Sequence, residues 1–246
     1  MDHDDFPIGR VLTRREALAL LGSSGTLFLL GCSPSTASSS RAGKPGYPCV
    51  VRPASTQGPY YVDEKLERSD IRSDPTDGAV REGTPLALTL NVSSVAMGAC
   101  APLVGAIVDL WHCDAAGVYS DAVDPLFNTT GKKFLRGYQV TDKNGVAKFT
   151  TIYPGWYPTR AVHIHFKIRS PASAEPAYEF TSQLYFDEGT SDRVYANPPY
   201  AAKGKRTVSN LTDRIYQAGG GSQLMLKVVP AKEGHAATFD VALDHG

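Results

Sequence analysis

The sequence lacks an excess of charge of either sign. Among its 246 residues, 25 lysines and arginines balance 25 aspartates and glutamates, so the formal net charge is zero. No stripe of basic residues is evident, which argues against a nucleic acid as partner. Long heptad or amphipathic runs are also missing, whereas glycine (23), proline (17) and tyrosine (12) are plentiful. This balance is typical of an all-β domain with many turns.

Several familiar metal-binding motifs are missing as well. The chain has only four cysteines, and no two of them form a Cys-x-x-Cys pair. The sequence contains no His-Glu-x-x-His motif, and no cluster of carboxylates stands near its one closely spaced pair of histidines. These absences leave zinc hydrolase chemistry with little support.

The first 31 residues are typical of an export signal. They carry the paired Arg14 and Arg15 of a twin-arginine signal. The apolar run over residues 17–30 is too short and too rich in Gly and Ser for a membrane span. It ends in Leu-Leu-Gly-Cys, which resembles a bacterial lipobox and predicts lipid attachment at Cys32. We therefore expect export by the twin-arginine route. The mature protein is expected to be a lipoprotein anchored at the outer face of the cytoplasmic membrane, or else a periplasmic or secreted protein.

The segment after the signal predicts a tether and then one domain. Residues 32–46 are rich in Ser, Pro and Gly, which is typical of a flexible linker. Residues 47–246 are long enough for one domain with a sizeable core. Several short apolar runs separated by turn residues predict a single β-sandwich of antiparallel strands, with long loops and little helix. The predicted strands cover residues 86–92, 103–112, 134–140, 146–152, 162–168, 179–186, 223–229 and 239–243.

Two further local features are predicted from the same patterns. Residues 120–133 have the composition of a loop, and residues 212–218 predict a short helix that stops at the following glycines. Disulfides form and persist in the oxidising compartments outside the cytoplasm. Cys100 and Cys113 bracket a predicted strand that spans roughly 30 Å, well beyond the ~7 Å between Cα atoms that a disulfide allows. We therefore expect Cys49 to pair with one of these two cysteines.

The pair His163 and His165 is the main chemical signal in the sequence. Residues two apart in a strand share a face, so both imidazoles point one way while Ile164 and Phe166 point into the core. Two neighbouring imidazoles can hold one metal ion. The nearest further donor is Tyr157, whose phenolate is a hard anionic ligand that favours ferric iron over zinc. The other mature-chain histidines are isolated and are expected to have surface or core roles: His112, His235 and His245.

Three segments together resemble the intradiol ring-cleavage dioxygenases, which include the protocatechuate and catechol dioxygenases. The first is Trp-x-x-Asp-Ala-x-Gly at residues 111–117, followed by Tyr119. The second is Leu-Arg-Gly-Tyr-Gln-Val-Thr-Asp at residues 135–142. The third, at residues 151–166, is Thr-Ile-Tyr-Pro-Gly-Trp-Tyr-Pro-Thr-Arg-Ala-Val-His-Ile-His-Phe. The similarity covers roughly residues 55–230.

The resemblance implies a non-haem ferric dioxygenase with one Fe(3+) per chain. Four residues match the metal ligands of the family: Tyr119, Tyr157, His163 and His165. The implied reaction cleaves a catechol-type ring between its two hydroxylated carbons with O2 and gives a muconate-type diacid. The resemblance further implies that the catechol displaces a hydroxide and one tyrosinate from the iron, and that these two groups accept the catechol protons, which is general-base catalysis. Tyr157 is expected to be a catalytic residue as well as a ligand.

The resemblance also implies a substrate-binding set. Arg160 matches the active-site arginine, which would hold the substrate and stabilise negative charge on it. Gln183 matches a glutamine behind the site, and Pro59 and Tyr60 are expected at the substrate mouth. Tyr138, Tyr153 and Trp156 are interpreted as packing residues.

Two other interpretations compete with this one. The hairpin and Pro-Gly turn before the histidines also occur in prealbumin-like sandwich modules, so a non-catalytic binding module on a lipid anchor is an alternative. A different mononuclear metal enzyme, such as a cupin, is the other. Catechol, protocatechuate, hydroxyquinol and larger lignin fragments all stay open as substrates, and the oligomeric state is open as well.

Overall fold

The computed structural model describes residues 49–96, 99–174 and 177–244. The predicted signal, the tether, Cys32 and His245 lie outside these described residues. The described chain is built mainly of strands: β1 (Pro85–Ala96), β2 (Ala99–Pro102), β3 (Ile107–Trp111), β4 (Val123–Asp124), β5 (Phe127–Asn128), β6 (Arg136–Val140), β7 (Val146–Ile152), β8 (His163–Arg169), β9 (Glu179–Tyr185), β10 (Lys227–Pro230) and β11 (His235–Asp244). Helices are few and short: α1 (Glu188–Tyr195) and α2 (Arg214–Ala218), with 3-10 turns at Tyr200–Lys203 and Gly221–Leu224.

The strands form two main sheets, as a sandwich requires. One sheet has the order β10-β11-β1-β2, and β7 also pairs with β1. The other has the order β6-β3-β8-β9, and β4 and β5 form a separate small hairpin. The predicted all-β sandwich with little helix is confirmed. Most pairs are antiparallel as expected, but β1 and β11 run parallel because the chain crosses the whole domain between them.

The core lies between the two sheets and is made by alternating side chains. From β1 it receives Leu86, Leu88, Leu90 and Val92, and from β8 it receives Ile164, Phe166 and Ile168. Burying each such side chain contributes roughly 1.5–3 kcal/mol. A slip of one residue would move the whole set to the other face, so the core also fixes which way the intervening residues of β8 point. His163 and His165 therefore emerge on the face away from the core, as predicted.

Several predicted segments differ from the structure in their limits. The strand expected over residues 134–140 begins at Arg136, and the one expected over residues 223–229 is β10, which begins only at Lys227 because residues 221–224 form a 3-10 turn. The strand expected over residues 103–112 begins only at Ile107, because Gly105 adopts a φ of +77° in a turn. Val104, which the sequence pattern places on one strand face with Ala106 and Val108, is instead 59% exposed in this turn. The expected loop over residues 120–133 contains the short hairpin of β4 and β5.

The helices were only partly predicted. The helix expected over residues 212–218 is α2, which begins at Arg214 because Asp213 caps it by accepting hydrogen bonds from the amides of Ile215 and Tyr216. Helix α1 was not predicted, although Asp187 caps it in the same way by accepting from the amide of Thr190. No helix in the described part of the chain is both long and apolar enough to span a membrane.

A disulfide joins Cys49 to Cys100, with the two Cα atoms 5.6 Å apart. The prediction that Cys49 forms the bridge is confirmed, and its partner lies on β2. Cys113 is a buried free thiol whose Sγ donates to the carbonyl of Gly155. His112, also buried, contacts the carbonyl oxygen of Cys113 and the hydroxyl of Thr151, so it has a core role.

Candidate active site

The outer face of β8 forms the floor of a cavity of about 750 Å³. Loops around residues 54–60, 119, 157–160 and 212–219 form its walls. Seven of the eight predicted site residues line it: Pro59, Tyr60, Tyr119, Tyr157, Arg160, His163 and His165. Residues more than 100 positions apart in the chain thus meet around one space. Gln183, the eighth, lies behind the wall and contacts Arg160 from there.

The two histidines point their Nε2 atoms at the same place. These atoms are 2.9 Å apart, and the hydroxyl oxygen of Tyr119 is 3.2 Å from Nε2 of His163. Nδ1 of His163 lies 2.6 Å from the carbonyl oxygen of Ala161, which can only accept, so Nδ1 carries the proton. The Nε2 of His163 therefore presents a lone pair toward His165 and Tyr119.

Burial determines the charge state of these donors. Burial, reinforced by the positive charge of Arg160, lowers the pKa of His163 to about 3. Burial, and then the neighbouring His163, lowers the pKa of His165 well below its ordinary value. Burial raises the pKa of Tyr119 well above its ordinary value. Both imidazoles are thus neutral, which is the form that binds metals, whereas Tyr119 is a neutral phenol until a cation favours its phenolate.

Two residues that sequence reasoning missed hold the ring of His165. Trp111, opposite it on β3, stacks on it with ring centroids 4.9 Å apart and planes within 7°. On another side lies Gly58, with a φ of +70°, where a Cβ atom would stand 3.2 Å from Cε1 of His165. A side chain at residue 58 would therefore displace the imidazole or the loop. The Gly-Pro pair at residues 58–59 was the only sequence signal for this close approach.

The hydroxyl of Tyr157, on the cavity wall, has two hydrogen-bonding neighbours. Its oxygen lies 2.6 Å from the hydroxyl of Tyr60 and 2.8 Å from Oδ2 of Asp124. The hydroxyl of Tyr60 also lies 2.5 Å from Oδ2 of Asp124, and its ring stacks on Tyr119 at 4.6 Å. Burial is the main reason that the pKa values of Tyr60 and Tyr157 are raised. Asp124, on the β4–β5 hairpin that sequence reasoning took for plain loop, is thus part of the site.

Arg160 is held on three sides. Its Nε donates to Oδ2 of Asp213 at 3.0 Å, and Nη2 donates to Oε1 of Gln183 at 2.5 Å and to the hydroxyl of Tyr185 at 3.2 Å. Nη1 makes no hydrogen bond to any residue in the described ranges, so it is the nitrogen left for a ligand. A guanidinium fixed in this way is a preorganised cation on the cavity wall.

Gln183 and Asp213 position this arginine from buried places. Gln183 is fully buried on β9, and its Nε2 donates to the carbonyl of Thr56. Asp213 is 1% exposed, and its Oδ2 also accepts from the amide of Ala161 at 2.7 Å. Since the carbonyl of Ala161 in turn accepts from His163, Asp213 supports both Arg160 and the histidine. The only sequence signal for a role of Asp213 was its position just before a short helix. That position predicts a helix cap, and it gives no indication of the ion pair with Arg160.

The spacing and chemistry of these donors suit a hard metal ion. Metal–nitrogen bonds to histidine are about 2.0–2.1 Å long for zinc, so two imidazoles at right angles around one ion would stand about 3 Å apart, as the Nε2 atoms here do. Within the described residues no group of three or more His, Cys, Asp and Glu side chains could hold a metal. Further donors must therefore be phenols, which suit a hard trivalent ion. The residues present fit ferric iron better than zinc.

Comparison with known proteins agrees with this chemistry. Residues 56–245 match the model of a family described as "Dioxygenase". A solved intradiol ring-cleavage dioxygenase from Tetranychus urticae is 30% identical, with a TM-score of 0.68, over 80% of this chain and 95% of that chain. The dioxygenase domain of a carbohydrate-binding fusion protein from Streptomyces sp. SirexAA-E is 29% identical, with a TM-score of 0.55, over 80% of this chain and 100% of that chain.

Curated relatives point the same way. The protocatechuate 3,4-dioxygenase beta chain of Burkholderia cepacia is 29% identical over 66% of this chain and 72% of its own length. A chlorocatechol 1,2-dioxygenase of Pseudomonas putida is 28% identical, and the match covers 53% of its length, about half. The family model alone covers most of the domain of this chain, and the related structures have the same β-sandwich fold. The chain therefore belongs to the intradiol ring-cleavage dioxygenases, oxidoreductase enzymes of a family that uses non-haem iron.

Proposed function

We propose that this protein is a ferric dioxygenase that cleaves a catechol-type ring between its two hydroxylated carbons and releases a muconate-type diacid. The observation that carries this proposal is the position of Nε2 of His163, which lies 2.9 Å from Nε2 of His165 and 3.2 Å from the hydroxyl oxygen of Tyr119. That meeting point lies in a cavity that also contains Tyr157 and the fixed guanidinium of Arg160.

Four side chains would hold one ferric ion per chain: Tyr119, Tyr157, His163 and His165. Two phenolates bring two negative charges to a trivalent cation, which lowers the cost of burying it. When bound, the iron supplies the Lewis-acid and redox chemistry that allows dioxygen to react with the aromatic ring. The remaining chemistry belongs to the side chains around it.

Arg160 is proposed to bind the substrate and stabilise negative charge that develops on it. Its Nη1 is the nitrogen without a partner among the described residues, whereas the other two are held by Asp213, Gln183 and Tyr185. Because these partners are already in place, the guanidinium needs no reorganisation when charge develops, which is the basis of electrostatic preorganisation.

Tyr157 is proposed to act as a base for a catechol hydroxyl. A phenolate at Tyr157 would accept a proton from a catechol hydroxyl and would then need hydrogen-bonding partners as a phenol. The structure has such partners in contact, because the hydroxyl of Tyr60 and the carboxylate of Asp124 both lie within 2.8 Å of the Tyr157 oxygen. Pro59 and Tyr60 form the adjacent part of the substrate mouth.

The interpretation as a non-catalytic sandwich module leaves these features without a reason. Burying polar and charged groups is costly unless they are paired or used. The cavity wall contains an arginine with one free nitrogen, two histidines and two phenols. Burying these groups costs stability that a non-catalytic scaffold would have no use for. A cupin-like enzyme is equally disfavoured, since the described part of the chain has no further histidine or carboxylate in register with the pair.

Export is proposed as the cellular setting. The twin-arginine motif and the lipobox-like Leu-Leu-Gly-Cys predict lipid attachment at Cys32, and the Cys49–Cys100 disulfide supports an oxidising compartment. Mass spectrometry of the N-terminal peptide of the mature protein tests this. A diacylglyceryl group on Cys32 is the expected result, and an intact Met1 peptide on protein from membranes would contradict it.

The catalytic proposal is tested by colour, iron content and oxygen uptake. Iron-loaded protein should contain one iron per chain, absorb visible light through phenolate-to-iron charge transfer, and consume O2 with catechol. Tyr157→Phe should shift or bleach this absorption and lower the turnover rate. Tyr138→Phe, on β6 and away from the cavity lining, is the matched control. Colourless protein with stoichiometric iron would overturn the assignment.

A further inference from the structure

The two tyrosines proposed as iron ligands lie on two segments of chain that touch each other. Tyr119 ends the first segment, residues 113–119, here called the Tyr119 segment. Tyr157 ends the second, residues 153–157, here called the Tyr157 segment. The centroids of the two phenol rings are 5.8 Å apart, and the ring planes are nearly perpendicular at 81°. The spacing of the two phenols therefore depends on how these segments are held together.

The two segments meet backbone to backbone. The amide of Gly155 donates to the carbonyl of Asp114 at 3.1 Å, and the thiol of Cys113 donates to the carbonyl of Gly155 at 3.3 Å. A Cβ atom on Gly155 would meet the carbonyl oxygen of Asp114, and one on Gly117 would meet the carbonyl oxygen of Trp156. This close approach explains why glycine ends the Trp-x-x-Asp-Ala-x-Gly motif and follows proline in the Pro-Gly turn.

One side chain from outside both segments bridges them. The Nζ atom of Lys203 donates to the carbonyl oxygen of Ala116 and, at 2.7 Å, to that of Trp156. The same atom lies 4.3 Å from the centroid of the Trp156 ring, where the aromatic face favours a cation. Hydrogen bonds from a charged donor are stronger than those from a neutral one. A single ammonium thus joins the residue three positions before Tyr119 to the residue just before Tyr157.

The 3-10 turn that carries Lys203 is itself anchored. Tyr200, the buried first residue of the turn, donates its hydroxyl to the carbonyl of Tyr153 at 2.6 Å. Gly204, just after the turn, accepts a hydrogen bond from Nε1 of Trp156 at 3.2 Å. Lys203 is half-buried between these two contacts. Its ammonium therefore reaches the two carbonyls from a fixed base.

We propose that Lys203 is a positioning residue for the iron site, which sets the spacing of the Tyr119 and Tyr157 phenols by joining their two segments. This inference rests on the ferric site proposed above. Lys203 is not among the residues that line the cavity, so it acts through the tyrosines. The guanidinium of Arg160 is held separately, by Asp213 and its neighbours. Losing the ammonium of Lys203 should therefore disturb the tyrosine ligands much more than substrate binding.

The test is Lys203→Met, which keeps a long unbranched side chain but has no ammonium. In iron-loaded protein we expect the phenolate-to-iron absorption, measured per bound iron, to shift. The kcat for catechol should fall by about tenfold to a hundredfold, as displaced catalytic groups cause, while KM stays within about threefold. Lys205→Met, at an exposed lysine two positions further on, is the matched control and should change neither quantity. Unaltered absorption and kcat in Lys203→Met would overturn the inference.

A second measurement needs no iron. Amide hydrogen exchange on iron-free protein should be at least about fivefold faster in both segments of Lys203→Met than of the wild type, and unchanged in β11. Faster exchange in only one segment, or in neither, would also overturn the inference. If the iron-loaded wild type shows no phenolate absorption, the catalytic proposal fails. Faster exchange in both segments would then still support Lys203 as the link between them.

Discussion

Replacing Asp213 by Asn is the sharpest test of how the site is held together. The side chain of Asp213 is 1% exposed and that of Arg160 12%, with Oδ2 and Nε 3.0 Å apart. Removing one member of a buried pair leaves an uncompensated charge and costs roughly 3–5 kcal/mol. Because Arg160 keeps some contact with water at the cavity, we expect Asp213→Asn to lower the free energy of unfolding by about 3 kcal/mol, at the low end of this range.

Asp187→Asn provides the matched control. Asp187 caps α1 through the amide of Thr190, just as Asp213 caps α2, but no ion pair joins it to any described residue. Asn caps helices about as well as Asp, so the control should change stability by less than about 0.5 kcal/mol. The difference between the two variants therefore measures the ion pair and not the cap.

The assay is urea unfolding with the disulfide intact, at pH 7 and at lower pH. Burial alone would raise the pKa of Asp213, but Arg160 and the amide of Ala161 hold this pKa below its ordinary value. A lowered folded pKa gives stability that is complete above the unfolded value of about 3.9 and is lost as the pH falls toward the folded value. The gap between wild type and Asp213→Asn should thus persist to about pH 4 and close below it. A gap under about 1 kcal/mol at pH 7 would refute a structural role for the pair.

Three further predictions follow from buried contacts. Gly58→Ala should lower both the thermal stability and the amount of iron that the protein retains, because the new Cβ atom would stand 3.2 Å from Cε1 of His165. The control is Gly78→Ala, at a glycine with a similar φ of +75° and open space around it, which should leave the retained iron unchanged. Equal iron loss in both variants would count against this. Burial lowers the pKa of His112 to about 4, well below the unfolded value of about 6.5. The unfolded chain therefore binds a proton that the folded chain does not as the pH falls between these values, and the wild type loses stability. Denaturant titration should show that the wild type loses roughly 3 kcal/mol more unfolding free energy than His112→Gln between pH 7 and pH 4. Gln183→Leu should cost about 1–3 kcal/mol and raise the KM for catechol, since a buried guanidinium nitrogen loses its acceptor; an unaltered KM would refute the positioning role.

Local patterns in the sequence determined much of the fold. The alternation in residues 86–92 and 162–168 assigned the core faces of β1 and β8, because the side-chain period of a strand leaves only two choices. The limits of elements were harder to predict. Val104 continues the apolar alternation of the strand after it, yet the turn at Gly105 places it in solvent. The parallel pairing of β1 with β11 joins residues about 150 positions apart, and no local pattern encodes it.

The sequence by itself determined which donors are available: two histidines on one strand face, tyrosines in the turns beside them, and one arginine between. Only the tertiary structure decided how they are held, through Gly58 against His165, Asp124 beneath Tyr157, and Asp213 beside Arg160. The physical reason is that a strand's period orients neighbouring side chains, whereas contacts between distant loops depend on how the whole sandwich packs. A donor can therefore be recognised from its own segment, but its support comes from segments that meet it only in the folded chain.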